Sequence, residues 1–186
     1  MFKKTMLAAV VVGFSTLCGV AQADEDSSGY LFGSVGQSDA EVSGATDTED
    51  TAWKVGGGLQ LSPNWGLELQ YTELGSVKGD VPTMFGVFQA ELETQGWGGN
   101  LVGTLPFDRF QLFGKLGYHR METEVRVTGM GGSASDTEDE WVVSYGLGGA
   151  YALTSNLDIV AEYEMYSDVA DEYDVDMLSA GLRYSF

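Results

Sequence analysis

The sequence predicts an all-β chain that closes as an eight-stranded antiparallel up-and-down barrel and crosses a membrane with its strands. Three observations predict it. Apolar and other residues alternate with a period of two in stretches of about nine or ten residues, as in a strand with one apolar face. Tight turns beginning at 62, 106 and 154 join these stretches into hairpins, and long polar connections join the hairpins to one another. Finally, every charge inside the strand cores falls on one parity set.

In order along the chain, Lys3 and Lys4 precede an apolar run from Met6 to Val20, and Ala21-Gln22-Ala23 follows with small residues where a signal peptidase reads. Residues 1–23 are therefore expected to be a secretory signal peptide and 24–186 a barrel domain. The apolar run is too short for a membrane anchor helix. Cys18 follows Leu17, where lipoprotein processing wants a small residue. The first strand is read over Tyr30–Gln37, although Tyr30-Leu31-Phe32 puts bulky groups on both faces. In 53–61, Trp53, Val55, Gly57, Leu59 and Leu61 oppose Lys54, Gly56, Gly58 and Gln60. After Ser62-Pro63-Asn64, a turn sequence, Leu67, Leu69 and Tyr71 oppose Gly66, Glu68, Gln70 and Thr72. The next pair is 97–105 and 111–119, joined through Pro106 to Arg109; then come 144–151 and 157–165, joined at Thr154-Ser155-Asn156. The last strand, 178–186, sets Leu178, Ala180, Leu182, Tyr184 and Phe186 against Ser179, Gly181, Arg183 and Ser185. The connections 37–51, 73–90, 122–140 and 167–175 are read as long polar loops.

Charge decides which way the barrel faces. A soluble barrel puts apolar groups inside and charges outside, and a β-sandwich is the bland alternative; a membrane barrel does the reverse. Lys54, Glu68, Lys115, Asp158, Glu162, Glu164 and Arg183 share the Gly-, Gln-, Thr- and Ser-rich face, and the opposite face is apolar. That face is expected to meet lipid, and the charged residues to form a lumen network, because unpaired charges in a confined lumen are costly. Trp53, Trp97 and Tyr145 each precede a tight turn by nine residues, which predicts one interfacial girdle; Trp65, Phe107, Phe110, Tyr151, Tyr184 and Phe186 would form the other.

Leu178-Ser179-Ala180-Gly181-Leu182-Arg183-Tyr184-Ser185-Phe186 resembles the C-terminal strand of outer-membrane barrels, which ends in an aromatic residue. Gly58 to Tyr71, Leu112 to Tyr118 and Ala161-Glu162-Tyr163 resemble segments of the small outer-membrane barrel family that includes the OmpA membrane domain. The resemblance covers nearly all of 28–186. It implies residence in the outer membrane of a Gram-negative bacterium and contact with its lipid and lipopolysaccharide. It also implies that Leu182, Tyr184 and Phe186 are read by the barrel assembly machinery. Glu68, Lys115 and Glu162 match the lumen salt-bridge positions of the OmpA-like pattern, whereas Ala150 and Val160 stand where that pattern often has Glu and Arg.

The chain holds 28 acidic and 9 basic residues, a formal charge of −19, which disfavours nucleic acid as a partner. Its Trp, Tyr and Phe content excludes an acidic disordered chain, and its single Cys excludes a disulfide scaffold. No cofactor is expected. The lone His119 would have to serve any His-dependent triad, and no Ser follows at the spacing associated with the lipid A deacylase barrel; it reads as a polar lumen residue. Asp171-Glu172 has no partner His nearby, and Gly129-Met130-Gly131-Gly132 lacks the Lys of a phosphate loop. The stretches 37–51, 73–93, 120–140 and 167–176 hold 20 of the acidic residues. Asp136-Thr137-Glu138-Asp139-Glu140 and Asp171 to Asp176 offer oxygen ligands for weak divalent-cation association, or simply a solvating acidic surface. The reading is a monomeric, non-catalytic outer-membrane barrel with acidic extracellular loops and an envelope or surface-interaction role. A small porin-like ion channel is the alternative, and a barrel enzyme acting on lipid A or peptides a more distant one.

Overall fold

The computed structural model describes residues 28–40, 49–83, 86–129, 132–169 and 173–186. Strands make up nearly all of it: β1 (Ser28–Ala40), β2 (Glu49–Ser62), β3 (Trp65–Thr83), β4 (Gly86–Phe107), β5 (Phe110–Gly129), β6 (Gly132–Ala152), β7 (Leu157–Val169) and β8 (Tyr173–Ser185). Each pairs antiparallel with its sequence neighbour and β8 returns to β1, which closes the barrel and agrees with the fold read from the sequence. Closure leaves no sheet edge within the barrel wall. The Phe186 amide donates to the Gly29 carbonyl at 2.9 Å. Residues 1–23, read as a signal peptide, lie outside the described residues, as do Met130-Gly131 and Asp171-Glu172.

The two parity sets separate as the period of two requires. In β1, Tyr30 and Phe32 both turn inward and Leu31 outward, so the bulky run is split cleanly between the faces. Outward positions are leucines and aromatics, exposed on the barrel surface: Leu69, Leu101, Leu116, Leu147 and Leu182 are examples. Inward positions mix large residues with glycine because the space is narrow. A Cβ on Gly58 would lie 2.3 Å from the Tyr30 ring, one on Gly148 2.3 Å from Phe113, and one on Gly98 2.5 Å from His119. Each of these glycines makes room for the ring of a residue on an adjacent strand.

Short turns close one end: Pro63-Asn64, Asp108-Arg109 and residues 153–156. Asp108 adopts a φ of 54°, a left-handed conformation that Asp tolerates better than most residues. At the other end the structure corrects the sequence reading. Residues 73–83 and 86–96 continue β3 and β4, and 120–129 and 132–143 continue β5 and β6 as paired strands, overlapping the polar loops expected over 73–90 and 122–140. β1 and β2 likewise extend to Ala40 and from Glu49, and β7 and β8 reach Val169 and resume at Tyr173. Apolar alternation marks a strand only where one face meets lipid. Beyond that level backbone pairing alone is enough, and polar β-formers such as Thr123 and Thr128 serve.

The elongation is one-sided. β3 to β6 have 19 to 22 residues, whereas β1, β2, β7 and β8 have 13 or 14. The four long strands thus rise as a sheet above the rim, paired up to Thr83↔Gly86, Gln89↔Thr128 and Gly129↔Gly132. On its β7 side, the described pairing of β6 begins at Val143↔Ser167, so 132–142 rises beyond that level. At the root of the sheet, Gly75 (φ 82°) marks a bulge in β3. Asp50 holds it, accepting from the Ser76 amide at 2.6 Å and from the Thr51 amide at 2.7 Å. The Ser38 hydroxyl donates to the Leu74 carbonyl beside it.

Candidate functional site in the barrel lumen

The inward residues stack as layers along the barrel axis. At the short-turn mouth, Arg183 donates to Asp158 at 2.7 and 2.9 Å and to Gln111 at 2.6 Å, with its guanidinium 5.4 Å from the centre of the Tyr30 ring. Above this pair Val102, Phe113, Ala150 and Val160 form a buried apolar cluster. Ala150 and Val160 are the two places where the OmpA-like charge pattern is broken, and the structure gives the reason: both pack into an apolar layer that a charge would disrupt.

The next layer is ionic and almost wholly buried. Lys54 lies 2.8 Å from Glu164 and 3.1 Å from Glu162; Lys115 lies 3.0 Å from Glu162 and 2.7 Å from Glu68. One oxygen of Glu162 therefore bridges both ammonium groups. Tyr30 donates to the other Glu68 oxygen at 2.8 Å, and Lys115 also stands 5.0 Å above the Phe32 ring and 5.3 Å from that of Phe113. Of the charges read as a lumen network, Lys54, Glu68, Lys115, Glu162 and Glu164 come together here. Asp158 and Arg183 form a separate pair at the mouth.

Neutral groups extend the layer toward the long-strand end. Ser144 donates to Glu164 at 3.1 Å, and the Gln70 amide donates to it at 3.2 Å. Asn100 donates to the Gln70 oxygen at 3.0 Å, and His119 Nε2 meets the Asn100 oxygen at 2.9 Å. With both amides oriented this way, His119 Nε2 is the donor, and a file of bonds runs from His119 through Asn100 and Gln70 to Glu164. The file was not legible from spacing, because its members lie on β5, β4, β3 and β7. The His119 ring packs edge-on to Tyr166 at 5.4 Å. Glu122 and Glu124, its neighbours in sequence, occupy the opposite parity of β5. A second apolar layer closes over this one: Ala52, Leu74, Met121, Val142, Tyr166, Val169, Val175 and Met177, each under 5% exposed. Most of these flank the polar connections, and their inward parity is the signal in the sequence that marks them.

On the outside, Trp97 and Tyr145 are exposed and Trp53 is half-buried. Further rings stand beside the three equally spaced residues. Trp53 packs on Tyr71 at 5.5 Å, and Trp97 meets Trp141 edge-on at 5.9 Å, which in turn stacks on Tyr118 at 4.9 Å. Trp141 was missed because it borders a stretch read as loop. Trp65, Phe107, Phe110, Tyr151, Leu182, Tyr184 and Phe186 all face outward near the short-turn end. Among the described residues no cluster of three or more His, Cys, Asp or Glu is placed to hold a metal ion.

Residues 6–186 match the family described as "Outer membrane protein beta-barrel domain". No curated protein sequence matches the chain significantly. Among solved structures, the fold is similar to Ail, the attachment invasion locus protein of Yersinia pestis, determined in complex with the heparin analogue sucrose octasulfate. The TM-score is 0.61 at 18% identity, covering 88% of this chain and 100% of that one. Neisserial surface protein A gives 0.63 at 16% identity, covering 87% and 100%. The N-terminal β-barrel domain of Pseudomonas aeruginosa OprF gives 0.51 at 11% identity, covering 85% and 97%.

Proposed function

Because the chain belongs to the outer-membrane β-barrel family, we propose that it is a monomeric, non-catalytic surface-interaction protein whose sealed barrel carries a raised sheet into the extracellular space. In this reading the short turns face the periplasm and β3 to β6 stand outside the cell. The aromatic girdles meet lipid and lipopolysaccharide, and Leu182, Tyr184 and Phe186 serve the assembly machinery. The observation that carries the proposal is the acidic stretch 132–142 of β6, which rises beyond the level where β6 pairs with β7. A strand at the border of a raised sheet offers backbone donors and acceptors to an added strand. Its sequence, with Asp136, Glu138, Asp139 and Glu140, repels a second copy of itself and fits an extended basic segment of another protein. The acidity also argues against a polyanion such as the one bound by Ail.

Two apolar layers with a buried ionic layer between them favour this reading over an ion channel. The same seal leaves His119 without a route for substrate. A fluorescent Lys- and Arg-rich peptide should bind the protein reconstituted in bilayers, more weakly as salt rises. It should slow amide exchange in 132–142, and lose about tenfold in affinity when Glu138, Asp139 and Glu140 become Lys. Binding without protection of that segment, or none at all, defeats the proposal, as would steady single-channel currents in a planar bilayer.

A further inference from the structure

The lipid-facing surface is unevenly filled. Where the register turns a glycine outward, an aromatic ring often folds over it. The Trp65 ring comes within 3.4 Å of where a Cβ on Gly103 would sit, Phe110 within 3.1 Å for Gly149, and Phe186 within 2.7 Å for Gly29. Gly99 has no such cover: its nearest atoms are the Glu68 carbonyl and a Leu69 methyl, both at 3.5 Å. Gly57 and Gly99 are the register partners of Leu69 on its two sides, and Leu31 pairs with Gly57 beyond. One row nearer the short turns, Gly29, Leu59, Leu67 and Leu101 pair side by side.

The outcome is a groove of about 460 Å³ crossing β1 to β4, floored at the glycines, walled by leucines and bordered by Phe186. Tyr30, Glu68 and Asn100 also border it, but their polar groups are engaged inside the lumen. We propose that this groove is a binding site for one acyl chain of a phospholipid in the periplasmic leaflet.

Three features select that occupant. The groove is continuous with the lipid belt of an outer-membrane barrel, so bilayer chains are the molecules presented to it. Leu59 and Leu67 flank the Pro63-Asn64 turn closely, which places the groove in the half of the membrane nearest the short turns. Its floor is recessed between leucine walls on a convex surface. A second barrel, itself convex, would touch the wall tops, whereas a flexible chain reaches the floor and gains dispersion contact along its length.

The test is native mass spectrometry of the folded, full-length protein in detergent, with palmitoyl-oleoyl phosphatidylethanolamine and, separately, lipopolysaccharide added. The wild type should retain one phosphatidylethanolamine per protein. The double variant Gly57→Leu/Gly99→Leu, which fills the groove, should retain about tenfold less. Gly114→Leu, on the outward face of β5 with ordinary room for a Cβ, should retain as much as wild type. Heat-modifiable gel migration establishes that each variant is folded; should the double variant fail it, Gly99→Val alone takes its place and should show the same loss. Equal retention in the groove-filled protein, preference for lipopolysaccharide, or a dimer lost in place of a lipid would each overturn the proposal.

Discussion

The Lys115 ammonium stands 3.0 Å from the Glu162 carboxylate, with side chains 3% and 2% exposed, in a lumen closed by apolar residues at both ends. Removing one partner of such a buried ensemble strands the others. Lys115→Met should lower stability by about 3–5 kcal/mol, read from urea unfolding of the barrel in bilayers by Trp fluorescence. Adding Glu68→Met should recover part of that loss, because the pair is then removed together. A Lys115→Met protein as stable as wild type would mean that the ionic layer is not held by this pairing.

Adjacent glycines should respond in opposite ways. A Cβ on Gly98 meets the Tyr118 carbonyl at 2.4 Å and the His119 ring at 2.5 Å, whereas one on Gly99 faces the membrane at ordinary contact distance. Gly98→Val is expected to cost at least about 1–3 kcal/mol and to reduce the heat-modifiable folded fraction. Gly99→Val should fold like wild type. Equal behaviour of the two would contradict the inward and outward assignment of β4.

Asp50 is the clamp at the root of the raised sheet. Asp50→Ala removes the acceptor for the Ser76 and Thr51 amides, at a cost of about 1–3 kcal/mol. The loss should be local: faster amide exchange and protease cutting around 73–83, with the unfolding midpoint of the barrel wall little changed. Gly75→Ala should do the same, since it forces a side chain into a φ of 82° and against Asp50.

Trp141 stacks on Tyr118 and meets Trp97 edge-on on the outer face of the barrel. Trp141→Ala should cost about 1–3 kcal/mol through both contacts, while Tyr145→Ala, an exposed outward ring in no ring pair among the described residues, should cost less. Urea titrations of the two variants side by side decide the point.

The barrel was legible because lipid imposes a strict rule: one face apolar, every charge on the other. That rule assigns Lys54, Glu68, Lys115 and Glu162 to the lumen from the sequence alone. It falls silent where lipid ends, which is why 122–140 reads as a loop although 122–129 and 132–140 are paired strands. Pairings across the lumen were equally out of reach. Nothing in the spacing of Lys54 and Glu164, separated by 110 positions, says that they touch, and only the closed register brings β2 opposite β7. Ala150 and Val160 looked like gaps in a charge pattern, and their apolar partners Val102 and Phe113 were needed to show what they build instead.

In the proposed surface role, the apolar layers above and below the buried charges make the barrel an insulator. A wall element of this kind adds anchored surface without adding leak, so a cell can make it in large copy number and be limited by membrane area, not by permeability.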